Sequence, residues 1–276
     1  MGAIKVAVLI FAPSLLTFLS LAVIEWVLLA LGSLWLFWKE TKIHPSQWTW
    51  DMQRARAFLL TGWPIILSSF LLILLARADQ LLIARLQGPN ILAQFAVAIM
   101  VLETLSFLPV VMFKVVSPLL LATHQTNEKL FQQQLLSLYR AMTILSVLLI
   151  FVIITFIAPI LGIFFGSDYP LLTVLVQLLS VRIFFTNFGI VRSIYVTANT
   201  LFKYDLLAIG MSVAVNVCLN ILLIPHLGVY SLVLVGYISL LLTTFLIDLG
   251  NPSLRNNLKT ALTGLFTPHR LRLDRL

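Results

Sequence analysis

Two apolar runs separated by four residues set most of what this chain can become. Between Gly62 and Lys114 it reads GWPIILSSFLLILLARADQLLIARLQGPNILAQFAVAIMVLETLSFLPVVMFK, interrupted at Gln87-Gly88-Pro89-Asn90. Gly and Pro together stop a helix, so the segment predicts a helical hairpin with a very short turn. Each arm exceeds the roughly 20 apolar residues that cross a bilayer. Yet the first arm carries Arg77 and Asp79, and the second carries Glu103. A charge near the bilayer centre is costly, so such residues face a bundle interior or a wet cavity. Ions in the middle of a membrane hairpin point to a pathway rather than an anchor.

The rest of the chain repeats the pattern. Of its 276 residues 61% are hydrophobic and 10% charged, where a soluble domain carries about 25% charged residues. The runs are long and lack the period of two that barrel strands show, so the fold class is an all-α, polytopic membrane bundle. Cys218 is the one cysteine and lies in an apolar run, which excludes an intrachain disulfide. The formal charge of +8 is not a nucleic-acid footprint, because the basic residues collect in alternate loops.

In order, the apolar stretch 14–38 predicts one crossing helix whose only charge before its end is Glu25. Pro13 marks its start, and residues 1–12 are either the remnant of an earlier helix or a tilted extension. Residues 39–62 predict a polar cytoplasmic linker with a short interfacial helix in its second half. Trp35, Trp38, Trp48, Trp50 and Trp63 cluster there, at the headgroup level that indole prefers. Residues 63–248 predict six crossings, over 63–86, 91–121, 139–164, 171–197, 204–224 and 229–247. Residues 249–276 predict a basic cytoplasmic tail. The linker, the 122–138 loop, the Lys203 turn and the tail all carry Lys or Arg, and the turns 87–90, 166–170 and 225–228 carry none. Positive-inside bias therefore places linker and tail in the cytoplasm and the basic-free turns outside, with about seven crossings in all.

Several segments, taken in order and spacing, carry a family resemblance. They are Gly62-Trp63-Pro64-Ile65-Ile66-Leu67-Ser68 followed by Arg77-Ala78-Asp79-Gln80; Phe95-Ala96-Val97-Ala98 through Glu103 to Pro109, then Ser117-Pro118; Phe165-Gly166-Ser167-Asp168-Tyr169; and Asn220-Ile221-Leu222-Leu223-Ile224-Pro225 with Gly228. The pattern resembles the polysaccharide (O-antigen type) flippases, in the superfamily that also contains the multidrug and toxin extrusion transporters. Phe95 stands where that family often has tyrosine. The resemblance implies two six-helix lobes around a central cavity, and this sequence looks like the second lobe plus the last helix of the first. It implies a polyprenyl-diphosphate-linked oligosaccharide as cargo, membrane lipid around it, and a bacterial cytoplasmic (inner) membrane as location. Either the chain works with a first-lobe polypeptide, or it is a non-transporting truncated lobe or scaffold subunit.

The intramembrane ions are the candidate site. Arg77 lies about 11 residues from the turn at Gly88, roughly 16 Å, and Arg182 about as far from the turn at Pro170. Two guanidinium groups at one depth can hold a diphosphate, since Arg matches phosphate oxygens bidentately; alternatively each pairs with an acid, Asp79 or Glu103. Asp79 is two residues from Arg77 and so points elsewhere, toward a coupling cation or a structural hydroxyl. Glu25 either lines the cavity or binds a neighbouring helix. Asn216 and Asn220 read as helix–helix glue, and Arg85 and Arg192, near helix ends, as snorkelling residues. Pro109 and Pro159 interrupt helices. The histidines (His44, His124, His226, His269) are scattered, with no cluster at metal spacing, no Gly-rich phosphate loop and no Ser/His/Asp set. An enzyme, a cofactor, a metal centre and a nucleic-acid partner are therefore not expected; a glycosyltransferase or acyltransferase would need loop-borne acids or histidines that converge on a site.

The topology is directly testable because Cys218 is the single cysteine. In a Cys218→Ser background, Asn90→Cys is expected to react with a membrane-impermeant maleimide added outside cells, and Lys203→Cys only after permeabilisation. The reverse pattern would invert the assignment.

Overall fold

The computed structural model describes residues 15–41 and 51–270. The expected remnant at 1–12, Lys42, His44, Trp48, Trp50, Arg272 and Arg275 lie outside the described residues. Contacts group the chain into two units, Met1–Leu60 and Thr61–Leu276.

The first unit contains α1, Leu15–Thr41, of 27 residues. At 1.5 Å per residue it spans about 40 Å, more than the hydrocarbon core. It is the helix expected over 14–38. Ser20 and Ser33 donate their hydroxyls to the carbonyls of Thr17 and Ala30, each at 2.9 Å, which settles these polar groups without water. Lys39 lies 5.3 Å from the ring centroid of Trp35, a cation–π contact at the polar end of the helix. Glu25 is half-buried on this helix.

Helix α2 runs unbroken over 35 residues, Met52–Leu86. Asp51 caps it, accepting from the N–H groups of Gln53 and Arg54 at 2.9 and 3.2 Å. The interfacial helix expected inside 39–62 is thus continuous with the long apolar helix that follows it. Pro64 removes one backbone donor, but the turns on either side keep their bonds and the helix passes through it. Pro64, Ser68, Leu75 and Asp79 form the narrow stripe it buries.

The second unit continues with α3 (Pro89–Leu105), α4 (Phe107–Thr126), α5 (Glu128–Val152), a π-turn (Ile153–Ile157) leading into α6 (Ala158–Phe165), α7 (Leu172–Ser180), α8 (Arg182–Ala198), α9 (Phe202–Leu227), α10 (Tyr230–Leu241) and α11 (Pro252–Phe266). No strand occurs among the described residues. Among the described residues, six stretches are long and apolar enough to cross a membrane: Met52–Leu86, Pro89–Thr126, Glu128–Phe165, Leu172–Ala198, Phe202–Leu227 and Tyr230–Gly250. The three basic-free turns gather at one end. Gln87 Oε1 lies 3.5 Å from where a Cβ on Gly228 would stand, and the Leu171 N–H donates to Gln94 Oε1 at 2.8 Å. Gly88 and Gly228 have φ of +88° and +57°, the left-handed region that only glycine enters cheaply.

Three local features differ from the expectation. The 122–138 loop is a single residue, Asn127, between α4 and α5; its side chain accepts from Leu130 N at 3.1 Å, and His124 Nδ1 meets Glu128 Oε2 at 2.6 Å. Polarity there marks helix ends that leave the apolar layer. Pro159 follows the π-turn, in which the Ala158 N–H bonds the Ile153 carbonyl five residues back, so the missing donor is absorbed by a wider turn. The tail is not merely basic: α11 buries Leu254, Asn257, Leu258, Ala261 and Gly264. Tyr139 donates to Asn257 Oδ1 at 3.1 Å, Tyr195 to the Ser253 carbonyl at 2.8 Å, and Arg140 to Thr267 Oγ1 and the Arg270 carbonyl. Asn251 as cap with Pro252 behind it was the legible start signal.

Gly264 is where α11 and α5 touch. A Cβ there would lie 2.6 Å from Tyr139 Cβ and 3.4 Å from the Arg140 nitrogen, whereas one on Gly189 meets nothing within 4 Å. Gly264→Val is expected to lower stability by about 1–3 kcal/mol, the usual cost of overpacking, and to expose 252–266 to protease; Gly189→Ala should change neither. Thermal melting and limited proteolysis of the purified chain read both.

Candidate functional site

The site is built on two interrupted spans. The first breaks at Ser106, between α3 and α4, and the second at Val181, between α7 and α8. At the first break the Ser106 hydroxyl and N–H both turn back to the Leu102 carbonyl, at 2.9 and 3.0 Å. At the second, Phe184 N–H bonds Val181 O at 3.1 Å, a tightened i to i+3 turn. Helix α3 packs on α7 and α4 on α8, so the breaks meet. Between them lies a cavity of about 180 Å³ whose lining includes Ile99, Glu103, Ser106, Arg182 and Thr186. Interrupted backbone at membrane depth is tolerated where it lines a cavity or is buried in protein, and membrane carriers build sites there.

The expected charges come together here in pairs. Arg77 Nη2 lies 3.8 Å from Glu103 Oε1, with both side chains about half exposed, at 53% and 57%. Arg182 Nη1 lies 3.9 Å from Asp79 Oδ2, with side-chain exposures of 18% and 1%. Each arginine therefore has its own acid. Neither pair is sealed: both distances exceed hydrogen-bond length, and Glu103 and Arg182 face the same cavity. The four ions form a chain from Arg77 through Glu103 and the cavity to Arg182 and Asp79. Glu25 belongs to the first unit.

Asp79 has a second set of partners. Asn220 Nδ2 donates to Asp79 Oδ1 at 3.1 Å and to Asn216 Oδ1 at 3.3 Å. The two asparagines thus join α9 to α2, as glue does, and also hold the acid in place. Asp79 Oδ2 and Asn220 Oδ1 are buried and accept no hydrogen bond. Unsatisfied buried acceptors are costly, and a carboxylate beside carboxamide oxygens is a donor set for a proton or a hard cation. No group of three His, Cys, Asp or Glu side chains able to hold a metal occurs among the described residues.

Arg192 does not snorkel. It is buried and clasps two acids: Nε donates to Asp248 Oδ1 and Oδ2 at 3.1 and 2.9 Å, Nη2 to Asp248 Oδ1 at 2.8 Å, and Nη1 to Asp205 Oδ1 at 2.5 Å. Sequence reading missed this cluster because its members come from three helix ends more than 50 residues apart at the extremes, 192 to 248. The signal was present: Arg192, Asp205 and Asp248 are each within about two turns of the same, Lys203-bearing end of the bundle. A second cavity of about 360 Å³, lined in part by Asp205, Ser193 and Thr243, opens beside it.

Removing the cation of this cluster would leave two acids uncompensated. Arg192→Leu is expected to cost about 3–5 kcal/mol, the range for breaking a buried pair, and Arg192→Leu with Asp205→Asn and Asp248→Asn should regain most of it. The thermal midpoint and folded yield of the purified chain measure both.

No curated protein and no solved structure matches the chain. A family model described as polysaccharide biosynthesis protein does match, over residues 2–170 of 276, and on that match the chain belongs to the polysaccharide biosynthesis protein family.

Proposed function

We propose that the chain forms one lobe of a flippase that carries a polyprenyl-diphosphate-linked oligosaccharide from the inner to the outer leaflet of a bacterial cytoplasmic membrane. The observation that carries this reading is the loosely paired ion chain at the two helix breaks. Arg182 opens into the cavity and Arg77 is half exposed, each only 3.8–3.9 Å from its acid. Contacts of that length are replaceable. A diphosphate offers each guanidinium shorter, charge-assisted, bidentate bonds. The sugar would occupy the wet side of the cavity and the polyprenyl tail the lipid.

The acids then have a role in turnover. When a diphosphate engages Arg182, Asp79 loses its cationic neighbour, and a proton or monovalent cation taken up at Asp79, Asn216 and Asn220 restores the charge. Release of the cargo reverses the exchange. The breaks at Ser106 and Val181 supply bending points for alternating access between lobes. A first lobe, supplied by another polypeptide or segment, faces this one. The alternative, a scaffold lobe without transport, keeps the same ions as packing pairs.

The two readings separate in a flippase-null bacterium complemented with a version comprising both lobes. Arg182→Ala and Arg77→Ala are each expected to lower surface polysaccharide by about tenfold or more, the scale of losing a charge-assisted bond, with lipid-linked intermediate accumulating inside. Arg182→Lys should recover part of the loss. Normal surface polysaccharide in both alanine variants, at normal protein levels, would leave the scaffold reading.

A further inference from the structure

We infer that α11 is a binding helix for anionic phospholipid, held to the bundle by one face and presenting the other to the headgroup layer. Its position follows from connectivity. The last crossing stretch ends at Gly250 and α11 begins at Pro252. One extended residue, Asn251, separates them, so α11 starts at the level where the chain leaves the apolar layer. Its inner face is fastened to α5 through Tyr139, Asn257 and Gly264.

The outer face has two halves. Arg255, Lys259, Leu262 and Phe266 follow at i, i+4, i+7 and i+11 and so share one stripe. All four are exposed, and Phe266 is 76% exposed. The basic pair lies toward the start of the helix and the apolar pair toward its end, about 16 Å apart at the extremes. That order fits a helix inclined into the leaflet, with its first half among phosphates and its last half among acyl chains. A second observation agrees. Just past the helix, Pro268 closes an apolar groove of about 390 Å³ formed on α5 by Thr143, Ile144, Val147, Leu148 and Phe151. The groove runs from the level of α11 toward the middle of the α5 span, and it suits an acyl chain.

Charge chooses among lipids. Residues 252–270 contain Arg255, Lys259 and Arg270 and no acid, and basic residues at a membrane surface favour an anionic leaflet. Nucleic acid would leave the Phe266 ring and the groove in water. A soluble protein partner would have to enter the leaflet to cover them.

The test uses the full chain in nanodiscs of phosphatidylcholine with and without a minor fraction of phosphatidylglycerol. Lipids retained after transfer to detergent are identified by native mass spectrometry. The wild type is expected to retain phosphatidylglycerol several-fold over its share and to melt higher when it is present. Arg255→Gln with Lys259→Gln should abolish the preference while melting normally in phosphatidylcholine. Phe266→Ser should lower the total lipid retained and keep the preference. Equal retention of phosphatidylglycerol by the double variant would overturn the proposal. So would a polar environment for a solvatochromic probe on Phe266→Cys, in a Cys218→Ser background.

Discussion

A peptide group inside a bilayer has no water to bond, so every departure from helix at that depth must find its own partners. This constraint organises the bundle. The breaks at Ser106 and Val181 lie side by side, each tightened by bonds to a carbonyl within a turn. The cavity with Glu103 and Arg182 lies where these breaks face one another. The π-turn at Ile153–Ile157 is the same constraint met differently, since a wider turn absorbs the missing donor of Pro159. Irregular backbone and intramembrane charge coincide at the first place and not at the second, which is what separates a site from a kink.

The ion pairs divide in the same way by distance. Arg192 is buried and bonded to Asp248 and Asp205 over 2.5–3.1 Å. Those bonds tie the ends of three helices together and leave little for a ligand to compete for. Arg77 and Arg182 stand 3.8 and 3.9 Å from their acids beside open space. A short, buried pair is expensive to break; a longer, less buried one costs less to separate. The same residue types thus form a tight cluster in one place and, on the function proposed above, an exchangeable contact in the other. Asp79 stands between these cases, held by Asn220 on one oxygen and left with an unbonded acceptor on the other.

Helix α11 extends the logic to the membrane surface. Its buried face joins the cluster that includes Leu120, Phe131, Leu135, Tyr139 and Tyr195, so the segment after the last span belongs to the same packed body as the spans. The bundle end that carries Lys203 is therefore ordered by three kinds of contact: a tightly bonded ion cluster, tyrosine hydroxyls on a carbonyl and an amide, and a glycine that lets two helices close.

Fold class and the hairpin at Gly88 were legible in the residue order, and so was the occurrence of Arg77, Asp79, Glu103 and Arg182 inside long apolar helices. Long apolar runs admit one solution in lipid, and a charge inside such a run is conspicuous wherever the helix points. Chain-local signals failed where a partner far along the sequence decided the outcome. Nothing near Arg192 announces Asp248, and nothing in a basic tail announces that Asn257 will meet Tyr139. The polar run around Asn127 resembled a loop because composition reports exposure to water, and a helix end is exposed too. Periodicity and polarity along the chain determine which segments are helices and how deep their charges lie. Which charge faces which, and whether it does so through a short dry bond or across a cavity, was decided only when the helices packed, because side chains on different helices acquire a distance only in the folded bundle.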